Sequence, residues 1–184
     1  MLSTTSEDPI LRENRRFELA RRLLSHGVRT KFITKFTGLS RNRLTTVRKR
    51  LMVRDKSRPR GPMRSSLEIF LGTPEANLAG AALASLCLVF DIPIESGVTS
   101  LPESVSLTFT EKLCETYEAY RALFPNIEIA LEDLILLLST LGKGDEIRIG
   151  QCEICRELIL IDACADPGAG VHCVILDPNA TTHG

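Results

Sequence analysis

The stretch "FITKFTGLSRNRLTTVRKRL", residues 32–51, leaves few options for the chain that carries it. Ile33 and Phe36 lie three apart, the spacing of one helical face, and predict a short helix over Arg29–Phe36. Gly38 then supplies the positive φ that a sharp turn needs, and Leu39 can plug the angle between helices. Ser40 is a natural N-cap, and Leu44, Val47 and Leu51 at i, i+3, i+7 mark the buried face of the next helix. Upstream, Phe17, Ala20, Leu23 and Leu24 predict a further helix over Glu13–His26, stopped by Gly27. Helix, four-residue turn and capped helix is the arrangement of a helix-turn-helix.

The residue types on the third helix point to a ligand. With the leucines and valine turned inward, Arg41, Asn42, Arg43, Thr45, Thr46, Arg48, Lys49 and Arg50 project outward or sideways. Arg donates a fork to guanine, Asn pairs with adenine, and Thr offers a methyl to thymine or a hydroxyl to phosphate. Just beyond, "RDKSRPRGPMR" (54–64) reads as an extended basic linker, whose Arg58 and Arg60 would neutralise backbone phosphates without reading sequence. The formal net charge of zero conceals the same polarity. Residues 1–64 hold 18 Lys and Arg against 5 Asp and Glu, a net of +13, and residues 65–184 carry a net of −13. A basic half of that strength is expected to meet nucleic acid, and the acidic half to meet protein.

Downstream, Thr73-Pro74-Glu75 opens a helix that is apolar nearly all round to Phe90 and is therefore expected at the centre of a core. Residues 91–105 read as a loop. Thr108 and Glu111 fit a capping box for a helix carrying Leu113, Tyr117, Tyr120 and Leu123, stopped by Pro125. A helix over Ile129–Leu141 ends at Gly142, and Glu132 and Asp133 on it are expected to be solvated. "EIRIGQ", "ELILI" and "VHCVIL" then look like three strands. The expected fold is mainly α: an N-terminal helix-turn-helix and a helical core, with a small C-terminal zinc-ribbon-like β unit. The division follows as a basic helix-turn-helix region (1–53), a basic Pro-rich linker (54–72), an acidic helical core and partner interface (73–143), and a cysteine-containing region (144–184).

That last region raises the question of a metal. Cys152 and Cys155 form a C-x-x-C pair, which gives two thiolates from one tight turn, and Cys173 follows on a later strand. The place three residues on, where a second pair would close, is Leu176. Cys164 and His172 are candidates for a fourth ligand. His172 neighbours Cys173, and adjacent strand residues face opposite ways, so Cys164 is favoured. The competing reading makes Cys164 and Cys173 small buried hydrophobes and Cys152/Cys155 an idle or redox pair, with Arg156 standing where zinc knuckles often have Gly. Cys87 and Cys114 lie on apolar helices and are expected in the core. No Gly-rich phosphate loop and no nucleophile elbow is present, and His26, His172 and His183 lack catalytic company, so an enzyme is not expected.

Taken in order, "LARRLLSHG", "LSRNRLTTVRKRL", the spacer "SRPRGPM", "YEAYRALFP" and Cys152-x-x-Cys155 with Cys173 resemble the FlhC family, with interruptions over roughly residues 17–175. FlhC joins FlhD in the flagellar master transcriptional regulator of proteobacteria. The resemblance implies a DNA-binding activator subunit at flagellar class 2 promoters, one Zn²⁺ per chain, and a heterohexamer of two FlhC and four FlhD, with RNA polymerase as a further partner. The family's zinc ligands are two C-x-x-C pairs; Cys152, Cys155 and Cys173 match three of them and Leu176 stands at the fourth. The chain also has no Trp, where the family does, and ends in "DPNATTHG" rather than a basic tail, which makes it a divergent member. Residues 1–16 show no apolar signal segment and the longest apolar run falls short of a membrane span, so a cytoplasmic protein with neither membrane nor small-molecule partner is expected. Two other regulators fit the same residues: a helix-turn-helix protein acting alone, and a cysteine-based redox or metal-responsive adaptor.

Overall fold

The structure is a computed structural model that describes residues 8–51, 66–94, 105–154 and 156–164. Over these it is mainly helical with one two-stranded antiparallel sheet. The chain divides into two compact units, Met1–Pro62 with Glu103–Cys114, and Met63–Pro102 with Glu115–Gly184.

In the first unit, α1 (Pro9–Ser25) begins a turn earlier than the apolar spacing predicts. Asp8 is the reason: its Oδ1 accepts from the Ile10 N–H at 2.8 Å, and Pro9 occupies the first helical position, where its missing N–H costs nothing. The helix α2 (Thr30–Thr37) follows, then α3 (Arg41–Arg50). Leu19, Ala20, Leu23 and Leu24 pack with Ile33, Phe36, Leu39, Leu44 and Val47 in a fully apolar core. Leu51 does not join it: it ends α3 and is 37% exposed. The first residues of α6 (Leu107–Leu123) belong to this unit. The Thr110 hydroxyl donates to the Phe36 carbonyl at 3.1 Å, and Arg15 places a two-pronged fork on Glu111 at 2.9 and 2.6 Å. The expected capping box is therefore replaced. Ser106 caps α6, its Oγ accepting from Phe109 N–H, while Glu111 is spent on Arg15.

In the second unit, a short helix α4 (Glu68–Leu71) occupies sequence read as linker and buries Phe70 completely. Thr73 caps α5 (Pro74–Val89) as expected, accepting from Ala76 N–H at 3.1 Å. Only one side of α5 is buried, through Ala79, Gly80, Leu83, Ala84 and Cys87, whereas Leu78, Leu88 and Val89 are exposed. Tyr117 and Tyr120 of α6 are buried, and Tyr117 Oη donates to the Ile129 carbonyl at 3.0 Å; Leu123, expected beside them, is exposed. The helix α7 (Leu131–Lys143) runs through Gly142 and ends at Gly144. Glu132 and Asp133 are buried rather than solvated, and Asp133 Oδ2 accepts from the Ala130 N–H at 2.8 Å, closing the start of α7.

The strands β1 (Ile147–Gln151) and β2 (Leu158–Asp162) pair antiparallel from Ile147↔Asp162 to Gln151↔Leu158. The hairpin docks on α5 in two ways. Asn77 donates from Nδ2 to the Leu160 carbonyl at 2.7 Å and accepts from the Leu160 N–H at 3.2 Å, so a side-chain amide fills the place of a neighbouring strand. At Gly80 the helix approaches so closely that a Cβ would lie 2.5 Å from Leu160 Cδ1 and 2.9 Å from Phe70 Cδ1. The third expected strand, 171–176, and the linker arginines Arg58 and Arg60 lie outside the described residues.

Candidate nucleic-acid interface and cysteine turn

The position of α3 is set by three local devices. Gly38 ends α2 with φ 70°, a left-handed conformation that costs a residue with Cβ about 1–2 kcal/mol. Leu39 is buried behind it, and the Thr37 hydroxyl holds the corner by donating to Ile33 O at 2.6 Å and accepting from Leu39 N–H at 3.2 Å. Ser40 Oγ then accepts from Arg43 N–H at 3.4 Å, satisfying one of the free donors at the start of α3.

From that start, the helix turns about 100° per residue, which sorts its side chains into zones. Leu44 and Val47 are buried. Arg43 and Arg48 flank that buried stripe on either side, and both are engaged. Arg48 Nη2 donates to Thr30 Oγ1 on α2 at 2.9 Å. Arg43 Nη1 pairs with Glu13 on α1, its guanidinium carbon 6.0 Å from the Phe17 ring centroid. On the opposite side Asn42, Thr45, Thr46 and Lys49 are all exposed, with Arg41 and Arg50 exposed at its two edges. Thr45 and Thr46 donate their hydroxyl hydrogens back to Arg41 O and Asn42 O, at 3.0 and 3.3 Å. Their methyl groups and oxygen lone pairs remain for an outside contact.

Of the residues singled out in the sequence, the structure thus brings together a polar face of four residues edged by Arg41 and Arg50, and separates Arg43 and Arg48 from it. The sequence carried a signal for that separation, because positions 43 and 48 are adjacent on a helical wheel to the apolar positions 44 and 47. Glu13, which pairs with Arg43, had no such signal: it lies 30 residues away in another helix.

At the other end of the chain, Cys152 follows β1 directly and is buried, while Cys155 and Cys173 lie outside the described residues. The turn after Cys152 is closed by Arg156 N–H donating to Cys152 O and Cys152 N–H donating to Glu157 O, both at 2.9 Å. Arg156 holds φ 64°, the left-handed value that glycine often supplies after a zinc-binding pair. Arg156 thus takes up a conformation that glycine adopts without cost. Cys164 does not share that site. It follows β2, beside the start of β1, with its thiol 4.0 Å from Asp145 O. The register sets Cys152 and Cys164 at opposite ends of the hairpin, on the order of 15 Å or more apart at the usual rise per residue, whereas two thiolates on one zinc each lie about 2.3 Å from it. Cys87 and Cys114 are buried, and burial pushes the Cys87 thiol up to about 12. Among the described residues no three potential ligands cluster, and no helix is long and apolar enough to cross a membrane. Comparison of the chain with protein-family models and with curated proteins finds no match.

Proposed function

We propose that this protein is a DNA-binding transcription regulator subunit whose α3 enters the major groove as the second helix of a helix-turn-helix. The observation that carries this reading is the exposed face of Asn42, Thr45, Thr46 and Lys49, with Arg41 exposed at its edge, set opposite buried Leu44 and Val47 on a helix capped by Ser40. That face combines a guanine fork, an adenine-pairing amide, two methyl-bearing hydroxyls and a phosphate-seeking cation. Arg50 of α3, with Arg58 and Arg60 beyond it, would add contacts to the phosphate backbone. The net of +13 over residues 1–64 supports the same ligand.

The resemblance to FlhC extends the reading to an activator subunit that works without catalysis in the cytoplasm at flagellar promoters, with an FlhD-like partner on the acidic half and RNA polymerase nearby. A Zn²⁺ held by Cys152, Cys155 and Cys173 would staple the C-terminal segment to the hairpin, and the fourth ligand would come from a group other than Cys164. The glycine-like turn at Arg156, closed on Cys152, supports the ion.

The test is binding of the full chain to a duplex that it has enriched from a random pool, beside an unselected duplex, across a salt series. Affinity for both is expected to fall steeply with salt, and Arg41→Ala should erase most of the preference while leaving the weaker, unselective binding in place. Salt-independent binding, or a preference untouched by Arg41→Ala, would overturn the assignment of α3.

A further inference from the structure

We propose that Arg43 is a latch and not a reader: Glu13 holds it against α1, which confines reading to Arg41, Asn42, Thr45 and Thr46 and keeps one more cation off the phosphates. The inference rests on the DNA-binding reading above and assigns to Glu13, a residue outside the turn motif, control over sequence-blind affinity.

The geometry converges from three sides. The Arg43 fork reaches Glu13 Oε1, and its plane lies near the face of Phe17, itself on α1. Glu13 Oε2 faces Arg16 Nη1 at 3.6 Å, so the carboxylate sits between two guanidinium groups. The Arg16 guanidinium in turn lines the space at Gly38, within 3.7–4.0 Å of where a Cβ would stand. A chain of contacts therefore runs from α3 through Glu13 and Arg16 to the turn that sets the angle of α3. Glu13 is 29% exposed and Arg43 57% exposed, so the pair is open to screening by salt and its release is read at low salt.

Two consequences follow for a duplex docked on α3. A carboxylate beside the recognition face repels phosphate, and it does so equally for every sequence. An arginine committed to that carboxylate adds nothing to sequence-blind attraction. Both effects lower sequence-blind affinity, and the ratio between a preferred site and random DNA is left to the reading face.

The experiment uses the full chain, its self-enriched duplex and an unselected duplex, each over a salt series. Glu13→Gln is expected to release Arg43: binding to both duplexes tightens several-fold at low salt, the slope of log K against log salt steepens by about 0.9 for one added phosphate contact, and the preference ratio is unchanged. In Glu13→Gln/Arg43→Gln the slope returns to that of the unaltered protein. Arg43→Gln alone weakens both duplexes alike, whereas Arg41→Ala removes preference. Melting of the four Glu13/Arg43 forms without DNA gives a non-zero coupling between the two residues, independent of any duplex. The proposal is overturned if Arg43→Gln costs as much preference as Arg41→Ala, if the steeper slope survives in the double variant, if Glu13→Gln leaves the slope where it was, or if the melts show no coupling. Failure of the DNA-binding reading looks different: the unaltered protein then enriches no sequence and shows no salt dependence, and the latch loses its function with it.

Discussion

Cys152 and Cys164 show how a register decides the chemistry open to a residue. Cys152 is buried at the loop end of the hairpin, and Cys164 is exposed at the open end beside Asp145. If the C-x-x-C turn holds zinc, Cys152→Ser should lower the metal content of the purified chain well below one per molecule, while Cys164→Ser leaves it unchanged by elemental analysis. Loss of the ion in both variants would require a hairpin of different register. Exposure predicts the opposite order for alkylation: Cys164 reacts in the folded chain, whereas Cys87 and Cys114 wait for unfolding. Gly80 shows a close approach of comparable severity. A side chain there meets Leu160 and Phe70, both buried, so Gly80→Val should destabilise the second unit by about 1–3 kcal/mol in urea titration.

The elements that were legible in the sequence are those with punctuation as well as periodicity. Gly38 and Ser40 bracket the turn before α3, and Thr73-Pro74 opens α5; each behaves as its chemistry dictates. What escaped was settled by partners that periodicity does not mark. Glu111 matched a capping pattern, yet Arg15, 96 residues away, claims it and leaves the cap to Ser106. Glu132 and Asp133 read as solvated because charge usually is, but Asp133 reaches back to the Ala130 N–H that opens α7. The docking of the hairpin was equally hidden, since nothing marks Asn77 as a substitute for a β-strand. Its removal tests the role directly. Asn77→Ala strips the Leu160 N–H and C=O of their partner and should cost about 1–3 kcal/mol, with faster hydrogen exchange at the Leu160 amide. Unchanged exchange there would mean that apolar contacts alone seat β2 on α5.

For the molecule as a whole, three buried acids of raised pKa among the described residues bear on how the fold weakens at alkaline pH. Burial pushes the Cys87 thiol from its ordinary 9.0 up to about 12. It also raises the Tyr117 and Tyr120 phenols above 10.0, chiefly by desolvation. Each group keeps its proton in the folded chain at a pH where the unfolded chain has released it. The folded state therefore binds more protons than the unfolded state above the unfolded pKa, and stability falls as pH rises. The contribution is fully present at neutral pH, begins to be lost above about pH 9 as the unfolded thiol ionises, and declines further from about pH 10 as the phenols follow. The chain has two Tyr and no Trp, so tyrosinate absorbance reports on these two phenols alone. An alkaline titration of the full chain should show both tyrosines ionising late and together with loss of helical circular dichroism, and urea midpoints measured at rising pH should drop over the same interval. Tyrosinate appearing near pH 10 with helicity intact would place Tyr117 and Tyr120 in contact with water and remove the core that α6 builds with the loop before α7.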